Sequence, residues 1–286
     1  MADVAVVVLL DVVAWRYAIG VRRAWATAGP RRLIRPAEVT RFVLGLIAVA
    51  AALVSPLDGH ATTSLTAHMV QHILLLTVAP PLLVLGAPIP ALLWSLPTRW
   101  RSTGRAAWRR VVSSRRGTGW IFWMAIAVVV QTAVMWVWHV PALYVAAVHH
   151  DGLHVAEHVT YLAAGCLFWW AVTAGPHRHH GAGAIAVLVG ALPGTVLGAV
   201  LTLTSRPLYR PAYPSLADQQ MAGVLMWAFA GAAYVVAAGV LVGLWLRGLD
   251  RADQRPVFAV PTDHRPVRPV PNLSGRPPLS SQGEAR

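Results

Sequence analysis

Seven apolar runs recur along this chain, and each is long enough to cross a bilayer, a task that takes ~20 mostly apolar residues. They fall at about residues 2–20, 40–56, 67–87, 119–139, 153–174, 182–204 and 219–246. Within a bilayer the backbone must satisfy its own hydrogen bonds, so such runs fold as helices. The fold class expected is therefore an all-α integral membrane protein, a bundle of seven transmembrane helices formed by residues 1–246. Composition agrees, because only 12% of the residues are charged, about half the share of a soluble domain.

The segments between the runs alternate in chemistry. Arg22, Arg23, Arg31, Arg32, Arg35 and Arg41 lie between runs 1 and 2. Arg99, Arg101, Arg105, Arg109, Arg110, Arg115 and Arg116 lie between runs 3 and 4, Arg178 lies between runs 5 and 6, and more arginines follow from Arg247. The opposite loops hold only Arg206 and Arg210. Cytoplasmic loops carry the excess of basic residues, which predicts an outside N-terminus and a cytoplasmic C-terminus. The net charge of +13 is thus spent on topology and anionic lipid, and nucleic acid is not an expected partner. The start of the chain lacks a basic leader, so no cleaved signal peptide is expected. Residues 247–286 are rich in Pro, Arg, Gly and Ser without apolar periodicity, and a disordered cytoplasmic tail is expected there.

Run 3 contains Pro80, Pro81, Gly86, Pro88 and Pro90. Proline removes a backbone donor and clashes with the preceding turn, so a kink at Pro80 and an end near Gly86 are expected. The stretch through Trp94, Trp100 and Trp108 with its arginines suits an interfacial segment.

The arginine-poor side carries His60, His68, His72, His139, His149, His150, His154 and His158. His68 and His72 stand four apart at the start of run 3, which puts both on one helix face. His154 and His158 repeat that spacing at the start of run 5, with Glu157 between them, and His139 closes run 4. Imidazole is the commonest biological metal ligand, so His68, His72, His139, His154 and His158 form the candidate metal site, converging if runs 3 and 5 pack together. Glu157, Met69, Met221 and Asp11 are candidates for its surroundings. Thioether with imidazole suits Cu(I), whereas imidazole with carboxylate suits Zn or Fe. The bland readings stand beside these: a membrane histidine can serve as an interhelical hydrogen bonder, a methionine as packing, and Asp11 as a protonated acid. His60, His149 and His150 read as solvated loop residues, as do His177, His179 and His180 on the other side. The single Cys166 lies in an apolar run; it excludes an internal disulfide and reads as a small core thiol. His154 to His158 also spells H-x-x-E-H, in which two histidines bind zinc and the glutamate activates water.

The blocks SPLDGH…AHMVQHILLLTVAPPLLVLGAP, WHVPALYVAAVHHDGLHVAEHVTYLAAGCLFWW, LGAVLTLT…PLY and DQQMAGVLMW resemble the CtaG-type cytochrome c oxidase assembly factors of bacteria, which are multi-span proteins. The resemblance covers about residues 40–246. It implies a non-enzymatic role in making an active caa-type oxidase, in the bacterial plasma membrane, by copper delivery at the outer face. The partners it implies are cytochrome c oxidase subunits and membrane lipid, with a copper chaperone as donor. Two alternatives stay open: a membrane metalloenzyme using His154, Glu157 and His158 on zinc or iron, and a b-type haem protein with axial histidines from runs 3 and 5.

The arginine asymmetry makes a direct prediction about sidedness. Reporter fusions at Asp58, Asp151 and Arg210 should all report the non-cytoplasmic side; a cytoplasmic signal at any one overturns the arrangement.

Overall fold

The computed structural model describes residues 2–114, 119–173 and 179–253. Among the described residues seven helices are long and apolar enough to cross a membrane, and the protein is a multi-pass membrane protein. Helix α1 (Ala2–Ala28) and α2 (Pro36–Leu53) are followed by a short α3 (Pro56–Ala61). The third span is a composite of α4 (Leu65–Ile73), a π-helical turn (Leu74–Val78) and α5 (Ala79–Leu85). Then come α6 (Pro88–Ser95), α7 (Thr98–Ser113), α8 (Gly119–Trp138), α9 (Pro141–His149), α10 (Asp151–Thr173) and α11 (His180–Leu203). The last span is α12 (Leu216–Leu225), a second π turn (Met226–Ala230) and α13 (Gly231–Asp253).

The prolines of the third span act one turn earlier than their position suggests. Pro80 has no N–H to give, and the turn ahead of it widens into π geometry over Leu74–Val78, so the helix runs on to Leu85 and is capped at Gly86. Glycine then lets the next layer approach. A Cβ on Gly165 of α10 would sit 2.6 Å from Pro80 Cγ and 2.9 Å from the Leu76 carbonyl oxygen. That contact holds α10 against the third span, and it brings the two histidine pairs to one level.

Three apolar clusters fill the bundle. One surrounds the histidines and includes Leu65, Met69, Tyr144, Tyr161, Leu201, Tyr209 and Tyr213. A second lies at the other end around Phe168, Trp169, Val187 and Tyr234. The third joins α1, α2 and α6 through Tyr17, Phe42 and Ala91, with the Tyr17 and Phe42 rings stacked at 3.8 Å. Outside these, Val129, Leu203 and Val236 are exposed, as lipid-facing positions of a membrane bundle are.

Several expectations need correction. The expected tail boundary at residue 247 is too early, because α13 continues to Asp253; the remainder of the proposed tail lies outside the described residues. The expected interfacial stretch is two elements: α6 packs on α1, with Arg23 Nη1 donating to the Ser95 carbonyl at 2.9 Å, while only α7, which buries no residue, is peripheral. His60 and His149 are exposed as expected but sit in α3 and α9 rather than in loops, each of which starts with proline at its first turn, where the missing N–H costs nothing. His150, exposed and in extended conformation, caps α9. On the opposite side His180 is buried at the start of α11 and His179 stacks on Trp120 at 3.9 Å, because α11 begins earlier than the apolar run does. His177, Arg178, Arg115 and Arg116 lie outside the described residues.

Candidate metal centre

The site is built on α4 and α10 and closed by the segment between α11 and α12. Four groups fix α4. Ser64 caps it, its hydroxyl accepting from Ala67 N–H. Asp218, from α12, reaches across to accept from Leu65 N–H at 2.6 Å, Thr66 N–H at 3.2 Å and the Ser64 hydroxyl at 3.0 Å. A helix start leaves its first N–H groups without intrahelical acceptors and favours negative charge, so one carboxylate satisfies both demands. Gln71 then donates to the Ala52 carbonyl and to Asp58, each at 2.7 Å. The chain between α11 and α12 is held by Gln219, which accepts from Leu208 N–H at 2.6 Å and donates to the carbonyls of Leu201 and Arg206. That segment delivers Tyr209 and Tyr213 to the histidines.

The five candidate histidines come together in one layered cluster. His68, His154, Glu157 and His158 each offer a ligand atom, and these atoms all lie within 4.8 Å of one another. Donors around a single tetrahedral ion at 2.0–2.2 Å stand about 3.3–3.6 Å apart, so a small inward movement closes the set. The Glu157 carboxylate also links this group to the next layer: Oε2 is 3.7 Å from His68 Nε2, and Oε1 is 3.3 Å from His72 Nε2. The His72 ring is 5.9 Å from that of His139. Glu157 thus stands among the four candidate donors rather than beside them, and His72 and His139 form an inner layer.

The hydrogen-bond pattern decides which ring nitrogens are available. Tyr213 donates its hydroxyl proton to the Ala61 carbonyl, so its oxygen accepts from His68 Nδ1–H at 2.9 Å. His68 Nε2 is left with its lone pair. His139 Nδ1 faces the Met135 carbonyl at 2.7 Å, an acceptor only, so Nδ1 carries the proton and Nε2 again is bare. A ligating histidine almost always donates its other N–H in this way. The Nε2 atoms of His68, His72, His139, His154 and His158 and both oxygens of Glu157 are buried without hydrogen-bond partners. Buried polar atoms are otherwise paired in the great majority of cases, and His68 and Glu157 are 1% and 0% exposed. Seven such buried atoms gathered in one place make this the candidate site for a cation.

Tyrosines form the wall. Tyr144 stacks on Tyr209 at 4.2 Å and its ring lies 5.1 Å from that of His68; Tyr161 lies 4.5 Å from His72. Burial pushes the phenols of Tyr144, Tyr209 and Tyr213 above their ordinary range, and the Glu157 carboxylate adds to it. They therefore remain protonated donors, and Tyr209 gives its proton to the His139 carbonyl at 3.3 Å. These tyrosines, with Gln71, Asp218 and Gln219, escape sequence reading, since single aromatic and amide residues in apolar runs carry no spacing signal.

Two residues proposed for the surroundings of the site are elsewhere. Met221 is 54% exposed: the buried stripe of α12 is Gln219, Ala222 and Gly223, continued by Met226, and Met221 falls on the other face. Asp11 is exposed, about a third of a turn from the Tyr17 face by which α1 packs. Met69 is buried as α4 turns inward, and it lines the same pocket as His72.

The family model for the cytochrome c oxidase caa3 assembly factor matches residues 15–248. The chain belongs to the caa3 assembly factor family. The match takes in the second half of α1, which the resemblance read from the sequence left out. Two curated relatives, uncharacterized proteins of Mycobacterium bovis and Mycobacterium tuberculosis, are each 26% identical over 216 residues, covering 70% of this chain. The chain spans 33% of the length of each. No solved structure matches.

The tautomer argument is open to test. Tyr213→Phe removes the acceptor of His68 Nδ1–H without touching a ligand atom. Competition titration of the detergent-purified protein with Co(II) should show affinity about 10–100-fold weaker than wild type, while His149→Ala leaves it unchanged. Equal affinity for Tyr213→Phe and wild type would contradict the assigned tautomer.

Proposed function

We propose that this assembly factor acts by holding copper for delivery to cytochrome c oxidase at the outer membrane face, and that it is a carrier rather than an enzyme. The observation that carries the reading is the convergence of buried, unpaired donors from His68, His154, Glu157 and His158, within a family of oxidase assembly factors. The carboxylate that suits zinc or iron does not exclude copper, since imidazole binds all three and Cu(II) holds such donors more tightly than zinc does. A carrier needs ligands that can release the ion, and the donors here stand slightly too far apart to clamp it before it arrives. The arginine distribution supports the outer face, where the four donors would meet a copper chaperone and the oxidase subunits.

One observation favours a second reading. His68 supplies a third imidazole to the H-x-x-E-H residues His154, Glu157 and His158, which is the ligand count of a catalytic zinc or iron site. In that reading Glu157 activates water. Its complete burial weighs against this role, because a hydrolytic site must admit substrate. The haem alternative is opposed by packing: the imidazole rings lie 4.3–6.0 Å apart, with Tyr144 and Tyr161 against them, and a macrocycle has no slot between them.

The test is oxidase maturation in cells. His68→Ala and His158→Ala should reach the membrane at wild-type levels, since polar contacts within membrane bundles are each worth only ~1 kcal/mol. The oxidase made in their presence should be copper-deficient and largely inactive, whereas His149→Ala should behave as wild type. Fully metallated oxidase alongside either of the first two variants would refute the copper role.

A further inference from the structure

Below the donor cluster lies a partly open pocket with about 40 Å³ of free space, about three times the least volume that accommodates one water. It reaches inward along α8 as far as Gln131, roughly 12 Å from His139 at 1.5 Å per residue. Its wall includes Met69, Met135 and Met226 together with His72 and His139. Half of the six methionines in the chain therefore face one small space, and all three are buried. The Met135 sulfur is at this wall: it would lie 3.7 Å from a Cβ placed on the lining residue Gly194. The two histidines bring buried Nε2 atoms that have no hydrogen-bond partner, and His139 Nδ1 is already committed to the Met135 carbonyl.

Both π-helical turns found among the described residues border this same space. Leu76 and Thr77 come from the first and Met226 and Ala230 from the second. Such turns occur frequently at functional sites, and here two separate spans bring them to one pocket.

We propose that this pocket is a second, inner metal station, selective for Cu(I), formed by Met69, Met135 and Met226 with His72 or His139. Thioethers are soft ligands that select Cu(I) over divalent ions, and the station's donors are three thioethers and one imidazole, with no carboxylate among them. The cluster above it has the opposite character, three imidazoles and Glu157. The two layers thus differ in the ion they prefer. The inner station takes the copper role as its premise for the identity of the cargo, but its ligands are separate from those of the outer four-donor set.

X-ray absorption of the purified full-length protein loaded anaerobically with Cu(I) tests this. Sulfur scatterers should appear near ~2.3 Å, the range of first-row metal–sulfur bonds. The near-isosteric variant Met69→Leu/Met135→Leu/Met226→Leu should lose them and bind Cu(I) at least about tenfold more weakly, with Co(II) binding at the outer donors unchanged. His154→Ala/His158→Ala should keep the sulfur signal; retention of sulfur-bound Cu(I) together with undiminished Co(II) binding in this pair would sink the outer site and leave the inner one standing. Wild-type protein with only nitrogen and oxygen scatterers, or a triple variant with wild-type sulfur scattering, overturns the inner station and returns the methionines to packing. The wild-type spectrum is decisive even should the triple variant fail to fold.

Discussion

A carboxylate buried among imidazoles governs this molecule. Glu157 is fully enclosed in an apolar bundle, and its two oxygens face His68 and His72. An unpaired anion in such surroundings costs many kcal/mol, so it must share a proton or a cation. A proton on Glu157 itself is one answer, shared with His72 Nε2 at 3.3 Å. A metal ion is the other answer, and in the proposed carrier it would meet the carboxylate and the surrounding imidazole nitrogens together.

The scaffold is arranged to keep that group in place. Asp218 and Ser64 complete the first turn of α4, Gln71 ties it to α2 and α3 through Ala52 and Asp58, and Gln219 secures the segment that carries Tyr209 and Tyr213. Gly165 permits the close approach of α10 to the third span. Polar residues in a membrane bundle thus do two jobs. The acids, amides and serine set helix positions, and the histidines and Glu157 keep buried atoms without hydrogen-bond partners. Family membership as an oxidase assembly factor is what ties the proposed copper role to the oxidase.

Much of this was legible in the sequence because membranes impose long, coarse signals. Seven apolar runs and paired histidines at a spacing of four are patterns that survive without any tertiary information, so the spans and the layer holding His68, His72, His139, His154 and His158 could be read directly. What could not be read depends on rotation about a helix axis or on long-range partners. Met221 and Met226 both precede or lie within the last span, yet only the helical phase set by Gln219 and Ala222 turns Met226 inward. Tyr213 becomes meaningful only when its hydroxyl meets both Ala61 and His68. The π turns are invisible in composition, since an extra residue per turn leaves hydropathy unchanged. Glu157 read as a neighbour because an acid between two histidines on a helix could point to either side.

The central claim is that His68, His154, Glu157 and His158 bind one ion. Anomalous scattering at the absorption edge of the loaded metal, in crystals of the protein, locates that ion without assumptions. The account predicts a single peak about 2.0–2.2 Å from the imidazole nitrogens and the carboxylate of this group. A map with no peak there, in which the Nε2 atoms instead hydrogen-bond to water or to Glu157, would contradict it.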